Sequence, residues 1–133
     1  LASPVVGIAA DAFRGGYWVV TAKGKVYSFD AGSYPAKRIT STVTGIAAGP
    51  TREGYWLVTS TGKVYGFNLS SDGSMPVGGA VGEVIGLAPA NLATGGYWLA
   101  TVTGHVAALG PVWHGDHPGL SGGNRVVGIA ATS

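Results

Sequence analysis

Three times along the chain a run of apolar and β-branched residues meets a glycine-centred turn and continues into a second short apolar run. The copies span residues 16–29, 54–67 and 96–109. The middle one is the clearest, with Tyr55-Trp56-Leu57-Val58-Thr59 before Ser60-Thr61-Gly62 and Lys63-Val64-Tyr65-Gly66-Phe67 after it. Aromatic and β-branched residues in succession favour a pleated backbone, and Gly24, Gly62 and Gly104 fall where a hairpin turn needs positive φ. The pattern predicts a strand, a tight turn and a second strand in each copy, repeating at a period of roughly 40 residues.

Ahead of each hairpin stands a third apolar run with small residues interleaved: Val5-Val6-Gly7-Ile8-Ala9-Ala10, Val43-Thr44-Gly45-Ile46-Ala47-Ala48 and Val84-Ile85-Gly86-Leu87-Ala88-Pro89. A fourth, Val126-Val127-Gly128-Ile129-Ala130-Ala131, closes the chain. Each reads as a short buried strand, with Gly and Ala where backbones crowd together. Side chains alternate along a strand, so Tyr55 and Leu57 lie on one face while Trp56 and Val58 lie on the other. With both faces apolar, each small sheet is expected to be sandwiched between two neighbours. The stretches after the hairpins, 30–41, 68–82 and 110–124, differ between copies, and each is expected to hold a fourth, outer strand and the crossing to the next repeat.

The phrases Gly45-Ile46-Ala47-Ala48 and Gly54-Tyr55-Trp56-Leu57-Val58-Thr59 resemble the β-propeller-type repeats of exported actinobacterial proteins, often found beside cell-wall hydrolases. Their layout is also similar to the regulator-of-chromosome-condensation type of blade. The resemblance implies an all-β single domain of three blade-like antiparallel repeats, at about 4–41, 42–82 and 83–124, with a closing strand at 125–133. Three blades do not close a ring that usually needs about four to eight. Other copies or another chain could complete it, the piece could belong to a longer propeller, or the fold could be a β-trefoil built from three repeats of this length.

Composition narrows the function. The chain of 133 residues holds 24 glycines placed in step with the repeat, and only 11% of it is charged. That is low against roughly a quarter in soluble domains, and implies extensive burial or a partner surface. The formal charge of +2 is scattered, without the dense basic stripe that nucleic acid demands. No apolar run approaches a membrane span, and the absence of Cys removes thiol chemistry.

The sharpest local cluster is Trp113-His114-Gly115-Asp116-His117, in which His114, Asp116 and His117 are candidate metal ligands by donor type. A solvated turn explains the same residues, so no metal or cofactor is expected. The acids Asp11, Asp30, Glu53, Asp72, Glu83 and Asp116 form no local pair of the kind a glycosidase uses, and no Gly-x-Ser-x-Gly elbow is present. Rings repeated in every copy, such as Trp18 and Trp56, read as core. Tyr34 and Trp113, with His114 and Asp116, are the better candidates for ligand contact, because they lie in the variable stretches. The expectation is a non-catalytic, secreted or cell-surface bacterial module that binds carbohydrate or a cell-envelope polymer. The alternative is an interaction subunit that assembles with other copies or another chain; a hydrolase is a minor alternative.

Overall fold

The computed structural model describes residues 3–49, 52–69, 83–89 and 97–109, the last three by backbone alone. Every regular element among them is a strand, as the hydrophobic pattern predicts: β1 (Val5–Ala10), β2 (Tyr17–Thr21), β3 (Val26–Phe29), β4 (Val43–Ala48), β5 (Tyr55–Thr59), β6 (Val64–Phe67), β7 (Val84–Pro89), β8 (Tyr97–Thr101) and β9 (Val106–Leu109). They form three separate three-stranded antiparallel sheets, β1-β2-β3, β4-β5-β6 and β7-β8-β9. Among the described residues no helix is long and apolar enough to cross a membrane.

The hairpin turns share one chemistry. In the second, the Gly62 amide donates to the Thr59 carbonyl at 2.9 Å and the Thr59 amide to the Lys63 carbonyl at 3.0 Å. Gly62 holds φ at 88°, with Gly24 at 88° and Gly104 at 97°, so the glycines stand where side chains would strain the turn. The first strands share an irregularity too: their register with the second strands shifts between Val5 and Gly7, Val43 and Gly45, and Val84 and Gly86.

The sheets stack through their faces, β1 lying against β4 and β4 against β7. Glycine permits this approach, since a Cβ at Gly45 would stand 3.1 Å from the Gly86 Cα. One face of the first sheet, Trp18 and Val20, closes on Tyr55, Leu57 and Phe67 of the second. The second sheet in turn sets Trp56, Val58 and Val64 against Leu87, Tyr97 and Leu99 of the third. Both seams place a Trp ring over a Tyr ring: Trp18 on Tyr55 at 5.0 Å and Trp56 on Tyr97 at 5.3 Å. Backbone groups add a second link. The Ala22 amide donates to the Pro4 carbonyl at 2.9 Å, while its own carbonyl accepts the Val43 amide at 2.8 Å. Ser60 repeats this between Thr42 at 2.9 Å and Val84 at 3.1 Å, and the Val102 amide donates to Glu83 at 2.9 Å.

Two expectations need correction. The sandwich holds for the second sheet, whose β5 is buried throughout, but the first sheet is covered on one face only. Ile8, Tyr17 and Phe29 are 65%, 42% and 47% exposed, because no described element lies against that side. The fourth strand is absent from residues 30–41. Pro35 offers no ladder donor, and the segment instead crosses to the second sheet, where the Lys37 ammonium meets the Gly66 carbonyl and the Phe67 ring. The other two variable stretches and the closing strand at 125–133 lie outside the described residues, apart from Asn68 and Leu69.

Candidate functional site at the seam between the first two sheets

The first seam carries a polar cluster at the end where β1 turns into β2. Asp11 starts that loop, is buried, and shapes it: its Oδ1 accepts the amides of Phe13 at 3.0 Å and Arg14 at 3.3 Å. Its Oδ2 accepts the Gly32 amide at 3.2 Å, tying in the segment that leaves β3. Gly32 is pinned further as its carbonyl accepts the Trp18 indole N–H at 2.7 Å and the Ser28 hydroxyl at 3.2 Å. A Cβ at Gly32 would clash with the Tyr34 hydroxyl and lie 2.7 Å from Glu53 Oε1, so a side chain there would push the Tyr34–Glu53 bond aside.

Glu53, from the loop before β5, reaches back from the second sheet. Its Oε1 accepts the Tyr34 hydroxyl at 2.8 Å and its Oε2 the Arg14 Nε–H at 2.7 Å. Asn68 supports it by donating Nδ2–H to the Glu53 carbonyl at 2.7 Å, while Arg52 donates to Asn68 Oδ1 at 3.2 Å. Asn68 adopts φ of 62°, the left-handed region that Asn tolerates, as does Asp30 at 52° after β3.

Burial is the largest influence on the Asp11 carboxyl and drives its pKa up. The hydrogen bond with Glu53 and the Gly32, Phe13 and Arg14 amides together outweigh it, so the group sits below its ordinary value. The Tyr34 hydroxyl is pushed up, first by burial and then by Glu53. Asp11 and Glu53 are joined through Arg14, whose amide donates to Asp11 Oδ1 and whose Nε–H donates to Glu53 Oε2. Their acceptors are engaged by Arg, Tyr and amide donors, an arrangement suited to clasping two sheets together. The Arg14–Glu53 pair adds little by itself, because the Arg14 side chain is 61% exposed.

Of the candidates expected from sequence, Tyr34 lies in this cluster, half-buried, its ring 5.9 Å from that of Tyr55. Trp113, His114, Asp116 and His117 lie outside the described residues. Among the described residues no group of three His, Cys, Asp or Glu side chains could hold a metal ion. Trp18, Trp56, Tyr55 and Tyr97 are buried as core, so their faces are closed to a sugar. At the turn end of the first sheet, Ala22, Lys23, Ile39, Thr40, Ser41 and Thr42 line an open depression of about 350 Å³.

Asp11 and Glu53 were not singled out as a pair from sequence. The available signal was departure from the repeat: Gly49 follows β4 where Asp11 follows β1, and Gly15 stands two residues before Tyr17 where Glu53 stands two before Tyr55. Comparison with protein-family models, curated proteins and solved structures finds no match to the chain.

Proposed function

We propose that the three sheets are blades of a β-propeller and that the chain is an exported, non-catalytic interaction module, whose first sheet receives a further sheet from a partner. Support for blades over a trefoil comes from the hydrogen bonding, since no strand of one described sheet is ladder-paired with a strand of another. The stacking of β1, β4 and β7, with glycine at the crossing, fits the inner edge of blades set around an axis. The observation that carries the interaction reading is the open face of the first sheet. Ile8, Tyr17 and Phe29 hold the register positions at which the second sheet places Ile46, Tyr55 and Phe67. Tyr55 and Phe67 are buried there by the neighbouring sheet. Export rests on the resemblance of the repeats to those of exported proteins. A photo-crosslinking residue at position 29 should give an adduct with a protein chain in the cells that make the protein. Phe29 left uncrosslinked would overturn the reading.

A carbohydrate or cell-envelope ligand is the second reading, and Tyr34 favours it. A half-buried ring beside exposed Arg14, Arg52 and Asn68 offers the stacking surface and hydrogen-bonding groups that a sugar takes. Retention on peptidoglycan or a glycan array, weakened at least tenfold by Tyr34→Ala, is the expected result. Equal retention of both proteins would remove Tyr34 from the site.

A further inference from the structure

We infer that the sheet received by the open face belongs to a different protein chain that carries the same kind of repeat, and that it lays a Trp ring on Tyr17. This rests on the interaction reading above and names the partner's chemistry. Each internal seam joins two unlike faces. The receiving face of the second sheet sets Ile46, Tyr55, Leu57, Tyr65 and Phe67 together by register. The first sheet sets Ile8, Tyr17, Val19, Tyr27 and Phe29 in the same places. What fits the second sheet therefore describes what the first is shaped to take.

The face that closes on a receiving face has its own signature. Trp18 lies in a cross-strand row between Ala9 and Ser28, and Trp56 between Ala47 and Gly66. Small neighbours leave each indole room to tilt against a Tyr ring, at 55° on Tyr55 and 60° on Tyr97. The next row is Gly7, Val20 and Val26 in one sheet, and Gly45, Val58 and Val64 in the other. In sequence the signature is Gly-x-Ala in the first strand, Trp-x-Val in the second and Val-x-Ser or Val-x-Gly in the third.

A backbone joint accompanies it. The Val43 amide donates to the Ala22 carbonyl and the Val84 amide to the Ser60 carbonyl, each in the turn of the sheet before. Val5 pairs with Thr21 as Val43 pairs with Thr59 and Val84 with Thr101, so its amide is offered to the turn of the arriving sheet. A copy of this chain does not lend the face required. The donating faces of the first two sheets are closed in its own seams, and Ala88 and Ala100 of the third are buried as well.

The test is p-benzoylphenylalanine at position 29 in the cells that make the protein, with the adduct digested and sequenced. The crosslinked peptide should come from a different protein and lie in a sheet that carries the Gly-x-Ala, Trp-x-Val signature. Ile8→Lys should cut the adduct yield at least tenfold while leaving the circular dichroism unchanged, since Ile8 is exposed. Val5→Pro removes the amide at the first residue of a strand, a place that tolerates proline, and should cut the yield at least threefold. Should Val5→Pro fail to fold, Ile8→Lys decides alone. Undiminished yield from Ile8→Lys, or from folded Val5→Pro, would overturn this docking. An adduct joining two copies of this chain would overturn the different partner, and a partner peptide from a protein without the signature would overturn the repeat chemistry; either leaves the interaction reading standing. No adduct at all would sink both.

Discussion

Trp56 and Tyr17 belong to the same repeated phrase and yet carry different weight. Trp56 fills the second seam under the Tyr97 ring, so Trp56→Ala should cost about 3–5 kcal/mol in chemical denaturation. Tyr17 keeps its stack on Phe29 at 4.9 Å but faces outward, and Tyr17→Ala measured on the single chain should cost under about 1.5 kcal/mol. Equal losses would mean that the open face is covered in solution. Titration separates residues in the same way. The Asp11 carboxyl lies below its ordinary 3.8, so its ionised form stabilises the fold above that pH and the contribution fades as acid is added. Burial, then neighbouring Tyr34, pushes the Tyr55 hydroxyl up to about 12. Its neutral form therefore stabilises the fold fully below pH 10, and that gain is lost as pH rises through about 12. Tyr55→Phe should flatten the alkaline limb of a stability-against-pH curve, and Asp11→Asn the acid limb. A core made of Trp and Tyr was legible because those residues recur in every copy. The Asp11–Glu53 clasp was not, because its two acids lie far apart in sequence and meet only when two sheets stack.

At the scale of strands, glycine decides how closely the sheets approach. A Cβ at Gly45 would press on the backbone of β7, and one at Gly7 would meet the Ile46 Cγ2 at 2.9 Å, on a β-branched side chain with little χ1 freedom. Gly45→Ala and Gly7→Ala should each destabilise by about 1–3 kcal/mol, as read from urea midpoints. The strands and their turns were legible, since period-two burial, β-branched runs and Gly62 each leave a local mark. The missing outer strand was a different matter. Residues 30–41 add no strand to the first sheet, because beyond Gly32 the segment is drawn to the second by Tyr34 and Lys37, a long-range preference that no local pattern encodes.

Across the molecule, repetition made the three described sheets readable, while the covering of their faces was not. The strands of the first sheet match those of the second except at Val6, Val19 and Ser28, which stand where the second has Thr44, Leu57 and Gly66, so its outward face differs from the second's by one aliphatic residue and by what lies against it. A sequence records which faces are apolar but leaves their neighbours unstated. The link through Ala22 and Ser60 has a further bearing on the chain's history. It is made by peptide groups alone, one amide and one carbonyl per turn, and so asks nothing of the side chains on either side. A gene that duplicates or loses one unit of this length keeps the joint intact without compensating mutation, which leaves the number of sheets free to drift between descendants while the geometry of each junction is inherited whole.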